Sequence, residues 1–213
     1  RPGQTLVRVL SPDLEREGWR SERSILFFVT DDVPFLVDTV RMVLDRHELG
    51  IHLLVHPMLH VRRDDDVLVE IADSGGVVEA WTLIELDRCP PELREALEAD
   101  VCSAIEDVQG VVHDFAAMQQ RLRQVAADDE LLEWLAEENF VFLGAATYTS
   151  TVSGLVLRPD SVLGEYRAGR LDPNRIDPPR YDGTASYTIG RTDAVASIHR
   201  PTRMTSIAVR PPG

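Results

Sequence analysis

Apolar and polar positions change period several times along this chain, and each change marks a predicted element. Residues 5–10 and 24–30 read as strands, the second carrying the apolar run ILFFV. The period then becomes helical: Leu36, Val37, Val40, Val43 and Leu44 form one stripe, with Asp38, Arg41, Asp45 and Glu48 opposite at spacings that pair along a helix. Pro34 fits the first turn of that helix, where its missing N–H is no loss. Asp31 or Asp32 is placed to cap it, and Gly50 to stop it. The run IHLLVHPMLHV changes to a period of two. Ile51, Leu53, Val55, Leu59 and Val61 fall on one face, and His52, Leu54, His56, Met58 and His60 on the other. Pro57 cannot donate to a ladder, so this strand belongs at a sheet edge or carries a bulge. RDDD is a turn, residues 67–71 fold back as a hairpin, and residues 80–86 alternate as a further strand.

Pro91 opens a long helical pattern through Leu93, Leu97, Val101, Ile105, Val108, Val112, Phe115 and Leu122, with Gly110 as the place for a bend or split. DDELLEWLAEEN predicts another helix, capped by Asp128 or Asp129 and ended by Asn139, and FVFLGAATYT a strand after it. Beyond Thr149 helical periodicity disappears. Strand-like pieces remain at 154–157, 186–189, 194–199 and 206–209, around a long loop, 158–185, that holds Pro159, Pro173, Pro178 and Pro179. The first half therefore predicts an α+β fold, a ferredoxin-like βαββαβ sheet with helices on one face. Its remaining strand is either residues 5–10 or residues 140–147. Residues 1–125 form the first expected domain, with its long C-terminal helix. Residues 126–213 form a second, mainly antiparallel unit, possible to read as truncated at its end.

Composition narrows the function. The chain has 213 residues, 44% of them apolar, which fits one large or two small globular domains. A net charge of −14 lacks the cationic face that nucleic acid needs. The charge is uneven: from Arg158 onward there are 9 Arg against 6 acids, and the preceding residues carry −17. All 22 basic residues are arginine, so the chain has no Schiff-base lysine and no phosphate-loop lysine. Cys89 and Cys102 have no metal spacing and read as inert buried thiols in a reducing, cytoplasmic interior. No apolar run reaches the ~18 residues of a membrane span. With no initiator Met and no signal-peptide pattern, the opening RPGQ reads as the start of a piece of a longer polypeptide.

The candidate chemistry is sparse. Asp31, Asp32, Val33, Pro34 and Phe35 form a turn that either only starts a helix or also holds a small ligand against the helix N–H groups. Neighbouring carboxylates do not face one substrate bond, so no acid–base pair is expected there. His52, His56 and His60 recur every four residues, but on a strand four residues span ~13 Å, too far for one ion with ligands at ~2.1 Å. No metal site is expected. His199, Arg200 and Arg203 in IHRPTRM either contact an anion or make a polar turn before a strand. Trp81, Trp134, Phe140 and Phe142 read as core. There is no G-x-G-x-x-G, G-x-S-x-G or Walker sequence.

Several stretches together resemble a known family. TDDVPFLVDTV (30–40), GIHLLVHP (50–57), EAW (79–81), HDFAAM (113–118), WLAEENFVFLG (134–144) and HRPTRMTSIAV (199–209) are similar, in order, to the N-terminal segment of the large bacterial NAD-specific glutamate dehydrogenases. The family's Tyr or Arg after FLG is Ala145 here, and its Asp in the last motif is Thr205 or Ser206. The resemblance implies a parent several times longer that deaminates L-glutamate with NAD, its catalytic domain far downstream. It also implies an ACT-like first domain, a module that often binds amino acids at the strand–turn–helix, followed by a PAS-like or second ACT-like unit. Such dehydrogenases use lysines for substrate and chemistry, so this lysine-free chain is expected to be non-catalytic and to hold no cofactor itself. Its implied role is regulation or oligomerisation, with other domains of its subunit and neighbouring copies as partners. The alternative is a purely structural packing module without a ligand. Ligand-binding turns of this kind often have glycine where the backbone approaches the ligand. Pro34 and the bulk of Phe35 favour the packing alternative.

Overall fold

A computed structural model of the protein describes residues 4–126, 129–152, 154–172 and 186–210. The second part of the Pro-rich loop, 173–185, lies outside the described residues, including Pro173, Pro178 and Pro179. Contacts divide the chain into two units, Arg1–Glu106 and Asp107–Gly213.

The first unit is built on β1 (Leu6–Leu10), β2 (Ser24–Thr30), α1 (Leu36–Arg46), β3 (Ile51–Val55), β4 (Met58–Asp64), β5 (Val67–Ala72) and β6 (Val77–Leu86), followed by the long helix α2 (Pro91–Ala126). The strands form one antiparallel sheet of six in the order β1-β2-β6-β4-β5, with β3 also paired to β6. The strand the sequence left open is therefore β1. The apolar β2 needs a neighbour on each side: β1 pairs from Leu6↔Val29 to Leu10↔Ile25, and β6 from Ser24↔Leu86 to Thr30↔Ala80. Residues 140–147 are not that strand; only Gly144–Ala145 among them pairs as a strand, β7.

One face of the sheet carries the core. Val7, Val9, Leu26, Phe28, Ala80, Ile84 and Leu86 pack with Leu36, Val40, Val43 and Leu44 of α1 and with Leu97, Val101 and Ile105 of α2. Each large apolar side chain buried this way contributes about 1.5–3 kcal/mol.

Three local expectations are corrected. First, α1 begins at Leu36, after a Phe35 cap residue with no side-chain cap bond, so Pro34 precedes the first turn and neither Asp31 nor Asp32 caps it. Second, Gly50 does not stop α1. Glu48 takes the left-handed conformation (φ 56°), and the N–H groups of Glu48 and Leu49 return to the carbonyls of Asp45 and Leu44 at 3.1 and 3.0 Å. This is the paired-bond helix ending that glycine usually supplies. Gly50 instead makes room for Asp87, whose Oδ2 would lie 2.7 Å from a Cβ there. Third, the alternation along residues 51–61 slips phase. A register shift between Ile51 and Leu53 puts Ile51 and Leu54 against the core, while Leu53 and Val55 are exposed. One inserted residue moves every later side chain to the other face. Pro57 then separates β3 from β4, and its carbonyl accepts the Trp81 N–H at 3.0 Å.

In the second unit α2 continues unbroken through Gly110, whose Cα faces open space. Asp129 caps α3 (Glu130–Trp134) by accepting the Leu131 and Leu132 N–H groups, and a wider turn, Leu135–Asn139, ends the helical segment. Leu122, Ala126, Leu132, Leu135 and Ala136 form a core with Phe140, Phe142, Tyr187, Ile207 and Val209. Trp134, expected in the core, is 51% exposed. The strands make three antiparallel pairs: β7 with β10 (Leu163–Gly164), β8 (Tyr148–Thr151) with β9 (Gly154–Leu157), and β11 (Tyr187–Val195) with β12 (Arg203–Val209). The strand expected over 194–199 ends at Val195. Gly144 in the FLG motif lies under the Tyr166 ring, 2.8 Å from where a Cβ would stand. The fold is thus an ACT-like α+β domain followed by a second α/β unit. Among the described residues no helix is long and apolar enough to cross a membrane.

Candidate functional site

The turn from β2 into α1 and the face of the sheet away from α1 hold the features that the core does not explain. Thr30, at the end of β2, is buried and shares a hydrogen bond with Thr5 at 3.1 Å. Asp31, Asp32 and Pro34 are exposed, and Val33 packs against the core. Phe35 is left-handed at φ 67°, and its carbonyl accepts the first helical bond from Thr39 at 3.0 Å. A bulky residue at positive φ costs about 1–2 kcal/mol relative to glycine. The glycine-like backbone path of the turn is therefore kept, and a half-buried aromatic ring stands on it.

The structure adds two residues that the sequence did not connect to this turn. His56 Nδ1 lies 2.6 Å from Thr82 Oγ1, and its Nε2 lies 3.9 Å from Asp32 Oδ1. Acid, imidazole and hydroxyl in series have the outline of a nucleophile system, but two facts remove that reading. Thr82 is fully buried, so its oxygen cannot meet a substrate, and 3.9 Å is beyond hydrogen-bond reach. The link depends on cross-strand register, which local sequence does not encode.

The other two histidines of the series have separate partners. His52 Nε2 bonds Asp87 Oδ1 at 2.7 Å, and the other Asp87 oxygen accepts the Gly50 N–H at 2.9 Å. These bonds, His52 first, hold the Asp87 carboxyl below its ordinary range. His60 meets the Gly75 carbonyl at 3.2 Å. The three rings are not gathered on one point. Of the anion candidates, Arg203 pairs with Asp193 at 3.6 Å and His199 sits at φ 68° in the connection between β11 and β12. Both belong to the second unit, as does the exposed Arg200.

The face of the sheet opposite α1 is mostly apolar, in rows that also hold Arg8 and Glu85. Register aligns Leu6, Val29 and Trp81; then Arg8, Phe27, Leu83 and Val55; then Leu10, Ile25, Glu85 and Leu53. Phe27 and Trp81 meet edge to face with centroids 5.7 Å apart. Leu53 is 50% and Val55 44% exposed. Glu79 borders the rows: Arg63 grips it with a two-bond fork at 2.7 and 2.9 Å, and the Trp81 indole N–H donates to it at 3.0 Å. The Arg63 fork depresses the Glu79 carboxyl, against the upward push of burial.

A strand–turn–helix on an antiparallel sheet with helices on one side defines the class as an ACT-like domain. Residues 1–101 match the family described as the ACT1 domain of glutamate dehydrogenase. The chain is 33% identical to an NAD-specific glutamate dehydrogenase of Halomonas elongata, over 84% of this chain and 12% of that protein. It is 30% identical to an NAD-specific glutamate dehydrogenase of Pseudomonas aeruginosa, over 97% of this chain and 15% of that protein. It is also 30% identical to a lipoyl synthase of Mycobacterium avium, over 75% of this chain and 44% of that one. The chain thus spans a small part of the length of the two dehydrogenases that it is similar to.

Proposed function

We propose that this chain is a non-catalytic assembly and regulatory segment of a cytoplasmic NAD-dependent glutamate dehydrogenase, the parent converting L-glutamate to 2-oxoglutarate and ammonia. The observation that carries the reading is the apolar outer face of the sheet, with Leu53 and Val55 half exposed on it. A neighbouring domain or subunit covering these rows would gain about 25 cal/mol for each Å² of apolar surface removed from water. The absence of lysine and of a dinucleotide loop supports a non-catalytic role, with NAD bound elsewhere in the parent. Similarity to proteins named for two different reactions also supports a shared module.

Packing is favoured over ligand sensing because Phe35 stands where a close backbone approach would call for glycine. In the full-length dehydrogenase, Leu53→Asp with Val55→Asp should weaken assembly and shift the sedimentation profile toward smaller species. Both positions are exposed, so the melting temperature of the isolated chain should move little. Unchanged assembly and unchanged kinetic regulation in that double variant would end the proposal.

A further inference from the structure

The segment 163–171 of the second unit is tied to α2 at two points on one helix face, seven residues apart. Asp114 accepts the Gly164 N–H at 2.8 Å and pairs with Arg167 at 2.9 Å. Asp107 pairs with Arg170 at 2.8 Å. Between these ties lies Glu165, only 2% exposed. Its carboxyl accepts a hydrogen bond from the hydroxyl of Ser197. Ser197 belongs to the connection between β11 and β12, which is closed by its own backbone bonds: Ala196 N–H to Thr202 at 2.9 Å, Arg200 N–H to Ile198 at 2.8 Å and Thr202 N–H to Arg200 at 2.8 Å.

We propose that Glu165 and Ser197 form a proton-controlled latch, which holds the 196–202 connection against the 163–171 segment while the carboxyl is neutral and loosens it when the carboxyl ionises. The neutral acid fits its surroundings: the carboxyl is almost wholly out of reach of water, and the hydroxyl and backbone N–H of Ser197 that donate to it carry no charge. Loss of the proton to solvent leaves a charge almost wholly out of reach of water, which is unfavourable without a full set of partners. The groups that act on it are Asp107 of α2, a like charge, Arg170 of its own segment, already paired to that Asp107, and the hydroxyl and backbone N–H of Ser197. The phenol of the adjacent Tyr166 is pushed up to about 12, chiefly by burial, and stays neutral. Burial is also the largest influence on Glu165, raising it, with Asp107 adding to the rise and Ser197 and Arg170 opposing it.

The weaker side yields first. Two ion pairs hold the segment to α2, whereas Glu165 is held to the connection only by neutral donors of one residue, the Ser197 hydroxyl and backbone N–H. Opening would admit water to the carboxylate and release the stretch that carries His199 and Arg200. The device is independent of the role proposed for the outer sheet face, because it lies wholly in the second unit.

Hydrogen exchange of the whole chain across pH 4–9, expressed as protection factors so that intrinsic rates cancel, tests the latch. Protection at Ala196, Arg200 and Thr202 should fall as pH rises, by at most about tenfold per pH unit, the limit for one released proton. In Glu165→Gln, which keeps the shape and cannot ionise, protection at these amides should be flat. Ser197→Ala, which removes the hydroxyl and leaves the N–H, should lower their protection below that of wild type at low pH. Equal pH dependence in wild type and Glu165→Gln, or flat protection in the wild type, would overturn the proposal.

Discussion

Glu48 carries the chain out of α1 in a left-handed conformation at φ 56°. Most side chains avoid that region because Cβ crowds the following carbonyl, at a cost of about 1–2 kcal/mol. The bonds from Glu48 and Leu49 back to Asp45 and Leu44, with both leucines in the core, hold it there. Glu48→Gly should therefore stabilise the protein by about 0.5–1 kcal/mol, less than the full relief because glycine also gains freedom in the unfolded chain. Urea denaturation checks this, with Glu48→Ala expected to give little or none of the gain. The sequence placed this helix ending within two residues but assigned it to Gly50. Glycine is the usual signal for the conformation, and nothing local says that a glutamate adopts it. Phe35 is the same lesson at the other end of α1.

At the scale of elements, periodicity located the helices α1 and α2 and nearly every strand of the first sheet, because burial on one face forces a repeat of 3.6 or 2. It misassigned faces within residues 51–61, where a single slip of register exchanges inside and outside. The Glu79 fork lies beyond sequence reach for a related reason: Arg63 and Glu79 meet across β4 and β6. Glu79 is buried and its carboxyl is depressed in the folded state. Its contribution is therefore present at pH values above the ordinary glutamate range and is lost as pH falls through the folded-state value. Glu79→Gln, which surrenders the charge-assisted bonds, should cost roughly 1.5–3 kcal/mol at pH 7. The gap to wild type should narrow on acidification below about pH 4.3, the ordinary glutamate value. Denaturation midpoints across that range decide it, and a gap independent of pH would contradict the assignment.

For the whole molecule, the ligand and packing readings separate in one measurement. With Phe35 on the left-handed position and Asp32 beside His56, calorimetric titration of the chain with the common amino acids should give no binding heat, and its melting temperature should not shift. A saturable heat with any of them would restore the sensor reading. The sequence alone determined the α+β class, the order of the main elements, the lack of lysine and the resemblance to glutamate dehydrogenases, since composition and local period are properties of the chain itself. Tertiary structure decided which segment completes the sheet, which residues of 51–61 turn outward, what His56 and Arg63 touch and where Glu165 is enclosed. Those outcomes depend on pairing between residues far apart in sequence, and a one-residue change of register, invisible to local pattern, redirects them.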